Sequence, residues 1–445
     1  VGSRQGFGKK VAPKVKQAIG IGLLGLGTVG SSVAQVLATK ADSLAEQAGL
    51  PLILKKLLAR NLSKRYPAEL GPNLLTTDPE EVLSHPEVDI VIELIGGEHP
   101  ATAYIKQALT NGKHVVTANK EVIAKHGYEL FSLARKHNVD IRYEASVGSG
   151  IPLISPFQQD LAANKTSAIR AILNGTTNYI LTRMAKEGLD FASTLKQAQE
   201  LGYAEANPAN DIEGIDAAYK LVILSNLAFQ AKFVPQDVYR EGISSIAARD
   251  FLYAKEFGYA IKLLAIAKRE DDKVEMRVHP VFVPQDSQLA KVDGVYNAIE
   301  VETDLAGKLV FYGEGAGALR ASSAVMADVL VIARNIYHGV NSVPELRLNS
   351  RVTVKPMLEL KTRYYLRLNA LDRPGVLSQI SRVLGDNSIS ISSVIQKESD
   401  LTAQTAIIVI MTYPAEEKGM QKALKQLKQL PEVNEVSNFI RVEES

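Results

Sequence analysis

Ile19-Gly20-Ile21-Gly22-Leu23-Leu24-Gly25-Leu26-Gly27-Thr28-Val29-Gly30 is the stretch that decides the fold. An apolar run leads into three glycines spaced two and three apart, and the apolar residues of 29–39 then recur at helical spacing. The pattern predicts strand, tight turn and helix. Gly25 permits the turn, Gly27 lets the backbone approach a pyrophosphate, and Gly30 lets helix and strand pack closely. Unpaired N–H groups at the helix start then meet the negative charge. A plain glycine-rich turn is the bland alternative; the strand before and the helix after favour a dinucleotide loop, with Thr28 and Val29 inside it.

Further along, apolar runs at 51–59, 89–95, 113–117 and 139–144 read as strands, and 101–111 and 120–137 read as helices. Continuous apolar strands separated by helices mean a parallel sheet covered on both faces. Residues 18–150 are therefore expected to form a doubly wound, Rossmann-type nucleotide domain in an α/β protein. NAD-specific sites usually end the second strand on a carboxylate. Here Arg60 stands there, with Lys64 and Arg65 behind it. A cation suits a 2′-phosphate and so NADP, with NAD as the other choice. Solvated loop charges explain the same residues.

The rhythm changes over 151–340, expected to be an α+β substrate-binding and dimerisation domain. Residues 215–229 and 251–267 read as apolar helices, and 274–283, 295–303 and 305–312 as strands of a mainly antiparallel sheet. A long helix at 320–337 is expected to pack back on the first domain. Residues 341–361 read as a linker and 362–445 as a compact βαββαβ unit, the ferredoxin-like pattern. Within it 364–370 alternates as a half-buried strand, and the helix from 376 stops near Gly385. Strands at 389–396, 404–412 and 433–442 and a helix at 415–430 complete the unit.

Composition narrows the function. Among 445 residues, 51 are Lys or Arg and 49 Asp or Glu, a formal charge of +2 that gives no global electrostatic case for nucleic acid. With no cysteine, disulfides, thiolate metal sites and a cysteine nucleophile are excluded. No apolar run approaches the ~18 residues of a membrane helix. The first ten residues lack the apolar core of a signal peptide and read as a processed end or a basic arm. The expectation is a cytoplasmic protein with no membrane partner.

Four segments carry residue types suited to hydride transfer: Thr117-Ala118-Asn119-Lys120 at a strand end, 144–152, 201–208 and 211–220. Asp216 and Lys220 stand at i and i+4, on one helix face. A solvated helix start with acidic residues favoured by the dipole is the plain alternative.

At these residues the chain closely resembles the homoserine dehydrogenase family. The match runs through GLGTVG, TANK, EASV, NGTTNYIL, GYAEANP, DIEGIDAAYKL and GEGAG, in the family's order from about residue 18 to 340. The turn Leu371-Asp372-Arg373-Pro374-Gly375-Val376-Leu377 resembles that of an ACT domain, a small amino-acid-binding module. The resemblance implies interconversion of L-homoserine and L-aspartate 4-semialdehyde with NAD(P)H, on the route to threonine, isoleucine and methionine. It places the proton donor/acceptor at Lys220 and a second essential lysine, touching substrate and cofactor, at Lys120. Substrate contacts fall on Gly202, Glu205, Asp211 and Asp216. A monovalent cation site, sodium by expectation, falls on Glu144, Val147, Ser149 and Ile151, largely through backbone carbonyls. Gly317 is a late cofactor contact, and Thr117 is a cofactor candidate from its place at a strand end, where open α/β sheets bind ligands.

Asn207, Ser149 and Leu319-Arg320 depart from the family's usual residues. In the C-terminal unit Asp372 and Gly375 are candidates for holding an amino-acid effector, threonine by metabolic expectation, with Asn387 and Ile389 completing the pocket in a homodimer or homotetramer. Another NAD(P)-dependent amino-acid aldehyde or imine oxidoreductase, and a non-catalytic amino-acid sensor, are the rival functions. Because every residue assigned to chemistry precedes 345, the core is expected to stay active without the C-terminal unit.

Overall fold

The computed structural model describes residues 16–62, 71–340, 348–400 and 402–444, which fall into two compact units. The first holds the described residues up to 117 together with 130–142 and 325–340; the second holds 118–129, 143–324 and those from 348 onward.

In the first unit six parallel strands lie in the order Leu75–Thr76, Leu52–Leu58, Ile19–Leu24, Ile90–Glu93, His114–Thr117 and Ile141–Arg142. All six residues of Ile19–Leu24 are buried, as a central strand covered on both faces requires. The strand order reverses between this strand and Ile90–Glu93, which is where open α/β sheets bind nucleotides. Helices Thr28–Thr39 and Ala101–Thr110 follow the expected pattern. The short Leu75–Thr76 strand had no sequence signal, and the expected strand at 139–144 shrinks to Ile141–Arg142 before a 3₁₀ turn, Glu144–Ser146. From the end of helix Ala318–His338, Arg334 donates to the Gln47 carbonyl at 2.9 Å.

The second unit is built on an eleven-stranded sheet. Its path runs Gly307–Glu314, Tyr296–Thr303, Thr166–Ile172, Tyr259–Glu270, Lys273–Pro284, Val433–Val442, Tyr364–Leu371, Thr405–Thr412 and Ile391–Asp400. Its last four strands are those of the βαββαβ unit. They are covered by helices Val376–Asp386 and Glu417–Leu427 around a core that includes Tyr364, Leu366, Leu368, Ile380, Leu384 and Met420.

Three expectations change here. Residues 251–267 are not one helix: Ala248–Glu256 is helical, and Tyr259–Glu270 is a strand between Thr166–Ile172 and Lys273–Pro284. Gly258, at φ +79°, separates them, and the run 263–267 is apolar on both of its buried faces, so its period was silent. Strand Tyr364–Leu371 is not half-buried, for Tyr365 and Arg367 on its other face are covered as well. Finally, 341–361 is not all linker. Residues 341–347 lie outside the described ones, but Thr353–Val354 pair in parallel with Lys273 and Val274.

The C-terminal strand joins the two halves of the large sheet, with Val281 and Phe282 paired to Arg441 and Val442. Buried charges line this seam. Glu443, 3% exposed, accepts from Arg170 Nε at 2.9 Å and Arg277 Nη2 at 2.8 Å. Asp250 is fully buried and accepts from Arg367 Nε at 2.7 Å, Tyr365 Oη at 2.9 Å and Asn438 Nδ2 at 2.6 Å. Cutting the chain near 345 would take Glu443 from Arg277 and Arg170, which keep Glu275 and the pair Glu300 and Glu302, and would take Arg367, Tyr365 and Asn438 from Asp250. A free-standing catalytic core would therefore carry a stability cost at this seam: removing one side of a buried ion pair typically costs about 3–5 kcal/mol.

Candidate active site

The glycine loop has the shape a pyrophosphate needs. A Cβ on Gly25, at φ +100°, would lie 2.8 Å from the Leu94 carbonyl, and one on Gly30 would lie 1.9 Å from the Gly25 carbonyl oxygen. Nothing lies within 4 Å of where Gly27 would carry one, so the space beside the helix start is open. Thr28 begins the helix and Gly27 caps it without a side-chain bond. At the neighbouring strand ends Thr117 Oγ1 donates to Glu93 Oε2 at 2.6 Å, and Glu93 Oε1 accepts the Ile95 N–H at 2.7 Å. Arg60 is exposed just beyond Leu52–Leu58, while Lys64 and Arg65 lie outside the described residues.

In the second unit the charged residues converge. Helix Ile215–Phe229 is apolar nearly all round, and its first two turns carry Asp216 and Lys220. Their i,i+4 spacing brings Lys220 Nζ to 2.7 Å from Asp216 Oδ2, and Nζ also donates to the Leu173 carbonyl at 2.8 Å. Lys120, the first residue of helix Lys120–Lys136, places its Nζ 2.5 Å from Asp216 Oδ1. One carboxylate thus bridges two ammonium groups. Asn174, the cap of helix Gly175–Glu187, turns its amide to both acids: Nδ2 lies 2.6 Å from Asp211 Oδ1 and 3.0 Å from Asp216 Oδ2. Asn174 and the Leu173 carbonyl were not singled out for chemistry. The cap signature Asn-x-x-Thr was readable at 174–177, but nothing local told that the amide's other end meets two carboxylates.

The two lysines differ. Lys220 keeps 11% of its side chain exposed and Lys120 keeps 40%. Burial pushes the Lys220 ammonium below its ordinary pKa and the Lys120 charge adds to that, against the pull of Asp216. Burial also opposes charge on Lys120, yet Asp216 and Asp211 outweigh it and raise its pKa. Burial raises Asp211, whereas the two lysines overcome burial and hold Asp216 well below the usual carboxylate range.

Other expected residues lie apart from this group. Glu205 and Gly202 sit on the exposed segment 201–208, and the Glu205 carboxylate has no partner among the described residues. Thr176 Oγ1 ties that segment to the helix start through the Tyr203 carbonyl at 2.7 Å. The Glu144 carboxylate accepts N–H bonds from Leu153, Ile154 and Ser155 at 2.6, 2.9 and 2.8 Å, which fixes the turn holding Val147, Ser149 and Ile151. Ser149 stands at φ +50°, a left-handed backbone that residues with a side chain rarely adopt. Among the described residues no group of three or more acidic or histidine side chains could hold a metal ion. Gly317 caps helix Ala318–His338, where Arg320 pairs with Glu314.

In the ACT-like turn, Asp372 is exposed and accepts from Gln396 Nε2 at 3.1 Å, and Gly375 caps helix Val376–Asp386. Asn387 and Ile389 are not brought to it. The Asn387 amide donates to Val383 O at 2.8 Å and Gln426 Oε1 at 2.5 Å, bracing two helices, and Ile389 is 3% exposed in the core.

The homoserine dehydrogenase family model matches residues 152–330, the family's NAD-binding domain matches 25–144, and the ACT domain matches 364–432. A homoserine dehydrogenase of Neisseria gonorrhoeae is 42% identical over 431 residues, 96% of this chain and 98% of that one. The chain belongs to the homoserine dehydrogenase family. The crystal structure of a homoserine dehydrogenase from Thiobacillus denitrificans superposes with a TM-score of 0.90 at 42% identity, covering 96% of this chain and 98% of that one. One from S. aureus gives 0.77 at 33% identity, covering 96% and 99%. The chain is thus an oxidoreductase acting on a CH–OH group, with a domain for a nicotinamide cofactor and an ACT domain. The rival readings, another amino-acid oxidoreductase and a sensor without catalysis, find no support. No helix among the described residues is long and apolar enough to cross a membrane.

Proposed function

We propose that Lys220 moves the proton in the interconversion of homoserine and aspartate 4-semialdehyde, and that Lys120 is the second cation at the reacting oxygen. The observation that carries this reading is the Asp216 bridge between the two ammonium groups, 2.5 and 2.7 Å away. A bound nicotinamide supplies or takes the hydride. In the reducing direction the lysine ammonium stabilises the developing alkoxide and gives up a proton. In the oxidising direction Lys220 must first be neutral, and its burial beside a second cation favours that form. Glu205 and Asp216 receive the substrate's amino group, and Gly202 and Asp211 complete the substrate contacts.

Arg60 selects NADP over NAD through the 2′-phosphate, and Gly25, Gly27, Thr28, Val29, Gly30, Thr117 and Gly317 complete the cofactor contacts. A sodium ion is held by the carbonyls of Val147, Ser149 and Ile151 on the turn fixed by Glu144. Threonine binds at Asp372 and Gly375, in a homodimer or homotetramer of a cytoplasmic enzyme.

The test is aspartate-semialdehyde-dependent oxidation of NADPH. Lys220→Ala should keep NADPH binding and lose turnover, and wild-type turnover in that variant would move the role to Lys120. Arg60→Asp should weaken NADPH by about 1.5–3 kcal/mol, the scale of a bond to a charged group, and NADH far less. Equal losses would remove Arg60 from the cofactor site.

A further inference from the structure

The geometry points to Arg441, on the last strand of the ACT unit, as a positioning residue for the catalytic group, acting through Glu241 and the backbone of 241–243. This rests on the reading of Asp211, Asp216 and Lys220 given above.

Arg441 is fully buried. Its Nε and Nη2 hold Glu417 of its own unit at 2.9 and 2.5 Å. Its Nη1 reaches out of that unit to Glu241 Oε2 at 2.9 Å, and Nη2 lies 3.3 Å from Tyr239 Oη, which donates in turn to Glu241. Tyr239 and Glu241 belong to a short segment laid along strand Lys273–Pro284: Tyr239 and Arg240 pair with Arg277 and Val278, and the Glu241 N–H donates to Val278 O at 2.8 Å. No sequence signal announced this segment as a strand, and the mechanism above does not use it.

The segment continues directly onto the catalytic loop. A Cβ on Gly242 would sit 2.6 Å from the Ile212 carbonyl oxygen, so the two backbones touch, and the Ile243 N–H donates to that same oxygen at 2.9 Å. Ile212 follows Asp211, whose carboxylate takes one hydrogen of the Asn174 amide while Asp216 takes the other. The path from Arg441 to Asp216 is therefore one unbroken series of hydrogen bonds and backbone contacts. Glu241 is its weakest joint, with 33% of its side chain exposed.

Glu241→Ala tests the joint and leaves Arg441 paired with Glu417. The full-length variant should melt close to wild type. Its kcat for homoserine oxidation should fall about three- to tenfold with a raised homoserine KM, as misplacement of reacting groups predicts, while the KM for NADP(H) stays put. Glu241→Gln, which still accepts from Arg441, should restore most of the loss. Wild-type kcat and homoserine KM in Glu241→Ala would overturn the proposal, as would a loss that Gln does not rescue. If Glu241→Ala fails to fold, Tyr239→Phe decides by the same two constants. Lys220→Ala run alongside separates the failures: if it turns over normally the reading of the site is wrong, and if it is inactive while Glu241→Ala is normal only this inference is wrong.

Discussion

Two buried ionic networks lie in the same unit and differ in their cations. The catalytic group sets Lys120 and Lys220 against Asp216 and Asp211. The seam sets chiefly arginines, Arg170, Arg277, Arg367 and Arg441, against Glu443, Asp250, Glu417 and Glu241, with Lys268 also on Glu443. Burial acts on both, but only lysine responds by releasing a proton. Arginine stays charged at any pH the enzyme meets, and its planar fork takes carboxylates two bonds at a time. Lysine makes a buried pair into acid–base chemistry; arginine makes it into a joint.

The largest effect should come from erasing that difference. Lys220→Arg keeps the charge and removes the transferable proton, so kcat should fall about 10²–10⁴-fold, the range of a general acid–base group, in a single-turnover assay. Wild-type turnover would break the contrast. In the seam, Asp250→Asn leaves Arg367 buried without its counter-charge and should cost about 3–5 kcal/mol in denaturant unfolding, with per-molecule activity of the folded fraction kept. Acid should act on the seam next. Arg277, Lys268 and Arg170 overcome burial and hold Glu443 down at about 2, against 4.5 unperturbed. Its contribution of about 3 kcal/mol is therefore complete above pH ~4.5 and lost as pH falls toward ~2. Glu443→Gln should flatten that part of the stability–pH curve. Smallest, Arg367→Lys keeps the charge but loses one of two bonds to Asp250, at 2.7 and 3.3 Å, and should cost about 1–2 kcal/mol.

What could be read in the chain follows from how far apart the interacting residues are. The glycine loop, the Asp216–Lys220 spacing and the βαββαβ order are local patterns, and each stands as expected. The seam was not legible, because Arg170 and Glu443 meet across 273 positions and Arg367 and Asp250 across 117. Its strand Tyr364–Leu371 alternates polar and apolar residues as a solvent-facing strand would, yet Arg367 and Tyr365 are covered by Asp250. The strand in 251–267 was hidden for the opposite reason, an apolar run over 263–267 without alternation. Within one chain Asn387 braces two helices and Ile389 lies in the core, contacts that sequence position alone did not announce.

The central claim is that Lys220 is a lysine made titratable by its surroundings. It is tested most directly by a ¹³C NMR pH titration of the Lys220 ε-carbon in the full-length protein, the resonance assigned by its loss in Lys220→Arg. A midpoint clearly below the ~10.4 of a free lysine is the predicted result. A midpoint at or above that value would mean that Asp216 holds Lys220 permanently charged, and would contradict its role in moving the proton.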